Sequence, residues 1–275
     1  MTRELDHPVR SIGMAGGAGS TFAVAYEGGG LQIFDFNAER ITQISDHDIE
    51  ALAEGRYVML SGTPVTIFPG IDTSGDIKTW IYGGGLAEAI QYDLKGIQDG
   101  TVQGLCAAPP ASDNGTLHRL AYWTDAASTV LQVGNLVERS GELEWVAAED
   151  ISVDEPITAC TFTDDGPQIY YDPIAGAARL KRLGRQTLVT LTSAGDVDIM
   201  FDKGDRRRYD ILDGITVIAP EAPTAVAATG DARGGGYPGG VIVLGGDIAP
   251  NDHRVVMVDP SKITLTPISV PPMGE

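Results

Sequence analysis

Apolar residues in this chain recur at every second position in short runs separated by glycine-rich turns. Phe22, Val24 and Tyr26 alternate with alanines, glycines 28 to 30 form a turn, and Leu31, Ile33 and Phe34 restart the apolar pattern. This is the signature of an antiparallel hairpin with one face on a core. The same strand, turn, strand pattern returns at Trp80–Leu94, at Leu120–Val133, at Gln168–Tyr171 with Ala178–Arg182, and at Gly240–Asp247 with Arg254–Asp259. Steps of roughly 40 to 55 residues match a four-stranded propeller blade. The pattern predicts an all-β fold, a β-propeller of four-stranded antiparallel blades, with five blades or an incomplete six.

Taken in order, Val9–Met14 reads as the innermost strand of the first blade, followed by hairpin 20–37 and Arg40–Ile44. Ser45–Gly55 has a capping residue, early acids and a closing glycine, which predict one short connecting helix. The second blade runs from about Tyr57 to Gly96 with Pro64–Phe68 as its inner strand, the third from about Val102 to Ala148, and the fourth begins at Ile157. Thr187–Leu191 and Asp198–Phe201 then follow too closely for a further full blade, so this region is read as compressed. Ile215–Ile218 is expected to be the inner strand of the last blade. Residues 1–270 form a single domain on this reading, and the proline-rich 271–275 a linker-like tail.

The 35 glycines and 16 prolines fit many short strands and tight turns. A net charge of −19 argues against nucleic acid or an anionic membrane as partner, since both need a basic face. No apolar run approaches the ~18 residues of a spanning helix, and the N-terminus lacks the apolar stretch of a signal peptide. Two cysteines, Cys106 and Cys160, exclude a disulfide scaffold and a cysteine-rich zinc site. Their spacing from the following hairpins places both on innermost strands of adjacent blades, where they read as small buried hydrophobes, with pairing left open.

Several other patterns carry little chemistry. Gly234–Gly239 has the letters of a dinucleotide fingerprint but leads into a strand instead of a helix. His7, His47, His118 and His253 have no metal-ligand spacing, and Asp46–Asp48 reads as a solvated helix start, with a metal pair as the alternative. No Gly-x-Ser-x-Gly elbow is present. Positive charge clusters at Arg206, Arg207 and Arg208, which are candidates for binding a phosphate ester or for neutralising nearby carboxylates.

The elements Gly29–Phe36, Gln91–Gly96 and Tyr237–Asp247 with Arg254–Ile263 resemble the β-propeller phytases, loosely over Ser20 to Ile263. The resemblance implies phytate hydrolysis in a calcium-loaded acidic cleft. It assigns calcium to Asp213, Asp247, Asp164 and Asp165, each of which also reads as a turn aspartate capping its own backbone. The family's Asp-Asp-Pro-Ala opening, its Asn-Asn strand and its turn lysines are missing. The chain therefore resembles the shortened, non-catalytic or weakly active domain that precedes a complete catalytic phytase domain in tandem proteins. That implies phytate or phosphate esters as ligands and a periplasmic or secreted location. Two alternatives are an active calcium-dependent 3-phytase and a propeller scaffold that binds a protein partner.

Overall fold

A computed structural model describes residues 2–83, 85–97, 100–110, 115–201, 205–209, 218–231 and 236–260. The first strand, β1 (Thr2–Leu5), stands apart from the blade that follows it. Blade one is β2 (Val9–Ala15), β3 (Thr21–Tyr26), β4 (Leu31–Asp35) and β5 (Arg40–Ile44), paired in that order. Blade two holds β6 (Ile49–Leu52), β7 (Arg56–Leu60), β8 (Thr63–Asp72), β9 (Ile77–Gly83) and β10 (Ile90–Asp93), with β6 and β7 each taking one half of the long β8. Blade three is β11 (Val102–Ala108), β12 (Thr116–Thr124), β13 (Val130–Arg139) and β14 (Glu142–Ser152).

Only β15 (Ala159–Thr163) and β16 (Gly166–Tyr170) make up blade four. Blade five is β17 (Ile174–Arg182), β18 (Arg185–Thr192), β19 (Val197–Phe201) and β20 (Asp205–Tyr209). Blade six is β21 (Ala225–Thr229), β22 (Val241–Ala249) and β23 (Asp252–Val258), completed by β1, which lies antiparallel on β23 with Thr2 opposite Val256 and Leu5 opposite His253. The two ends of the described chain thus meet in one sheet and close a ring. Five full blades and a two-stranded one agree with the fold the sequence predicts. No helix of the described residues is long and apolar enough to cross a membrane.

Three local expectations are corrected. Ser45–Gly55 is no helix: its centre is β6, because an innermost position against β8 offers its backbone a ladder and buries Ile49 and Leu52. Gln168–Tyr171 and Ala178–Arg182 are not one hairpin but belong to blades four and five, so the compressed blade is 159–170 and not the segment after Lys181. Pro64–Phe68 lies in β8, the second strand of its blade, and the innermost strand of the last blade is β21. Residues 215–217 lie outside the described residues, as does the tail at 271–275.

Each blade is buried on both faces, so successive residues of a strand pack against opposite neighbours. On β19, Val197 and Ile199 turn toward blade six, and Asp198 and Met200 turn toward blade four. Apolar clusters fill the junctions six–one, one–two, two–three, three–four and five–six. Each large side chain so buried contributes about 1.5–3 kcal/mol.

Across blades four and five, Asp164 pairs with Lys181 and Arg179, and a polar cluster within blade five faces Tyr170 of blade four. Asp198, with 5% of its side chain exposed, takes Arg206 Nη2 at 2.5 Å and Arg208 Nε at 3.0 Å, beside Tyr170 and Thr190. Burial alone would raise the Asp198 carboxyl, but the hydrogen bonds from Arg208 and Arg206 outweigh it and hold the group below the usual carboxylate range.

Cys106 of β11 and Cys160 of β15 are joined by a disulfide, tying blade four to blade three. The inner-strand placement expected from sequence is observed, and the bond adds a covalent link where blade four has least sheet of its own. Replacing both cysteines with serine is expected to lower the free energy of unfolding by about 4 kcal/mol, the loop-closure value for a separation of 54 residues. The measurement is urea unfolding of the two proteins, and a loss below about 1 kcal/mol would show that packing alone holds β15 on β11.

Candidate ligand-binding site

Small residues on the innermost strands leave a channel along the ring axis. Its neck, about 60 Å³, is lined by residues such as Ala107, Ala177 and Ala227. One mouth, about 240 Å³, lies at the N-terminal ends of the inner strands, where Arg10 and Glu50 form an ion pair. The other mouth, about 420 Å³, lies at their C-terminal ends and holds the densest polar chemistry on the axis: Glu54, Arg56, Tyr57, Arg179, Lys181 and Asp231.

The wider mouth is held in shape by polar contacts across every blade junction. The Gly55 amide donates to the Met14 carbonyl at 2.8 Å and the Gly17 amide to the Asp231 carbonyl at 2.7 Å. Arg56 Nη1 donates to the Leu117 carbonyl at 2.6 Å, and His118 Nε2 donates to the Glu54 carbonyl at 2.7 Å. The Arg119 guanidinium sits 4.5 Å from the Phe162 ring centre, a cation–π contact joining blades three and four. Lys181 Nζ reaches Asp164 Oδ2 at 2.7 Å, and Arg182 Nη1 donates to the Gly230 carbonyl at 3.0 Å. Glycine is required at 230, because a Cβ there would fall on the Lys181 carbonyl.

Two buried ionisable groups sit behind this rim. Burial pushes His118 down to about 4, so the ring is neutral with its proton on Nε2. Glu54 is pushed up to about 7 by desolvation, which Arg179 and Arg119 only partly offset. The residue opens onto the cavity, yet protein atoms crowd its carboxyl, and among the described residues no side chain hydrogen-bonds to it.

The residues singled out from sequence are scattered. Arg206 and Arg208 serve the Asp198 network at the blade four–five junction, away from the channel. Arg207 lies between them on β20. Asp164 and Asp165 form the β15–β16 turn on the face of the wide mouth, where Asp164 pairs with Lys181 and the Asp165 amide bonds Thr163 Oγ1. Asp247 lies toward the opposite face, accepting from His253 Nδ1 at 2.6 Å. Asp213 lies outside the described residues. Among the described residues no three His, Cys, Asp or Glu side chains gather as a metal site.

Sequence reasoning passed over Glu54, Arg56, Arg179 and Lys181. The available signal was Arg179 and Lys181 alternating with Ala178 and Leu180, a period-two strand whose polar side faces the ring axis.

No known family matches the chain in sequence, and no curated protein does so either. Among solved structures it is similar to AofleA from Arthrobotrys oligospora, with a TM-score of 0.57 and 9% identity over 94% of this chain and 90% of that one. What the chain shares with such structures is the β-propeller fold. Aleuria aurantia lectin bound to α-methyl-L-fucoside superposes with a TM-score of 0.56 and 10% identity over 95% of each chain. A second structure of that fungal lectin, described as a six-bladed β-propeller with a novel fucose recognition mode, gives 0.56 at 10% identity over 94% of this chain and 93% of that one. These neighbours overturn the phytase resemblance, and with it the accessory-domain, 3-phytase, phytate and catalytic-partner expectations. The motifs that carried it are glycine turns and strand-end aspartates, which any propeller blade needs for its backbone.

The Glu54 shift makes stability depend on pH with a definite sign. A carboxyl with its folded value above the ordinary 4.5 contributes stability that is fully present below 4.5 and is lost as pH rises through about 7. His118 acts oppositely: its contribution is present above 6.5 and is lost as pH falls through about 4. Glu54→Gln, which mimics the protonated acid, is expected to be more stable than the parent at pH 8 by on the order of 2 kcal/mol and equal to it at pH 4.5. Urea unfolding at the two pH values checks this, and an equal difference at both would show that Glu54 is not desolvated.

Proposed function

We propose that the chain is a binding propeller of lectin-like type that takes a saccharide in the wide mouth of its channel. The observation that carries this reading is the cavity of about 420 Å³ ringed by Arg56, Tyr57, Arg179, Lys181 and Glu54. That size suits one or two sugar rings, and ligand sites of this volume are commonly pre-formed clefts with a few convergent polar groups. Tyr57, 39% exposed at the rim, offers an aromatic face beside those groups. Guanidinium and ammonium donors meet sugar oxygens, and the backbone at glycines 16, 17, 55 and 230 lines the same cavity. A fungal lectin among the structural neighbours, solved with a fucoside, supports the same class of ligand. The Cys106–Cys160 bond favours an oxidising compartment as the place of action.

Amide chemical shifts test the proposal directly. Titration with a panel of neutral and acidic oligosaccharides is expected to move the amides of Gly17, Gly55 and Gly230 for at least one member. Arg179→Ala is expected to weaken that binding by about tenfold, the loss of one charge-assisted hydrogen-bond donor. A panel in which no sugar moves these amides, or binding indifferent to Arg179→Ala, would overturn the reading.

A further inference from the structure

Resting on the saccharide reading of the wide mouth, we infer that the ligand carries an anionic group, a carboxylate or sulfate ester, and that Glu54 is the residue that sets its selectivity by opposing that group across the channel. The juxtaposition that carries this is Glu54 and Arg179, which line both the neck and the wide mouth yet form no ion pair with each other. An acid and a base that line one constriction without pairing leave a place for a second anion against the base.

Arg179 has donors to give. Its five N–H groups make a single long contact among the described residues, Nη1 to Asp164 Oδ1 at 3.4 Å. Asp164 belongs to Lys181, whose Nζ holds both carboxylate oxygens at 2.9 and 2.7 Å. The guanidinium is nearly enclosed, with 12% of its side chain exposed, so an incoming carboxylate would meet it in a screened-off setting.

Charged groups approach Glu54 from several of the elements around it. Arg179 comes from β17 of blade five and Arg119 from β12 of blade three. Arg56 follows on the same chain segment, and neutral His118 holds the Glu54 carbonyl. Lys181 and Asp231 line the same cavity, with Asp164 behind Lys181. Among the described residues Arg179, Arg119 and Lys181 thus bring positive charge toward Glu54 in a protein of net charge −19. At physiological salt the screening length is about 8 Å, so these neighbours and not the remote surface acids decide what enters.

With Glu54 ionised the incoming anion meets a like charge; with Glu54 protonated it meets a hydrogen-bond donor instead. Binding therefore takes up a proton wherever Glu54 is ionised in the free protein, and affinity rises as pH falls. An ordinary sugar carboxylate stays ionised throughout that range.

The test titrates tri-galacturonate, methyl-α-L-fucoside and inorganic sulfate at pH 8 and pH 6, following the Gly17, Gly55 and Gly230 amides. Tri-galacturonate is expected to bind about tenfold more tightly at pH 6, the effect of removing one like charge a few ångströms away. Glu54→Gln is expected to bind as tightly at pH 8 as the parent does at pH 6, with no remaining pH dependence. Arg179→Ala and Lys181→Ala are expected to lose the acidic sugar. Fucoside binding equal to tri-galacturonate at both pH values would overturn the inference and leave the saccharide reading standing. Sulfate binding with this pH profile, but no sugar binding, would overturn the saccharide reading and keep the anion site. A pH profile unchanged in Glu54→Gln would remove Glu54 from the role, whatever the ligand.

Discussion

Closure of the ring is the constraint on which everything else depends. Each blade is a short antiparallel sheet that is apolar on both faces and stable only between neighbours, so a ring with a gap would leave two such faces in water. The gap is sealed by β1 lying on β23 as the outer strand of the last blade, which places Leu5 in the cluster shared by blades six and one. Four residues at one end of the chain thereby complete a sheet otherwise built from residues 225–258.

Against that demand the two-stranded blade four is an exception that the structure offsets in two ways. On the blade-three side, Phe162, Cys160 and Ile169 still bury themselves on Cys106, Trp123 and Leu131, and the disulfide fixes the pair. On the blade-five side, where two strands are missing, the exposed face is only partly apolar. Asp198, Thr190 and Arg206 stand on it beside Ile174 and Met200, and charge-assisted hydrogen bonds from Arg206 and Arg208 satisfy the buried carboxylate within blade five. The arginine run that stands out in an acidic sequence has a structural occupation there.

The same ring that demands packing also creates the site. Inner strands that run in one direction bring all their C-terminal ends to one face, and small residues at the neck keep the axis open. Cross-blade bonds from Gly55, Gly17, Arg56 and Arg182 then hold the wide mouth in one geometry. Glu54 is desolvated because it stands where several blades converge, which no single blade would achieve.

Much of the architecture was legible in the sequence because blades are local: alternation at Phe22–Phe34 and Leu120–Val133 and the glycine turns between them are dictated by residues a few positions apart. By itself the sequence determined strands, turns, the class of fold and the placement of both cysteines on inner strands. Tertiary structure alone decided which hairpin belongs to which blade. Local signals at 45–55 favoured a helix, yet pairing with β8 prevailed, and 168–182 was divided between two sheets by its neighbours. It also decided the site, since Glu54, Arg56, Arg179 and Lys181 come from segments over a hundred residues apart and acquire their chemistry only when the closed ring gathers them around one axis.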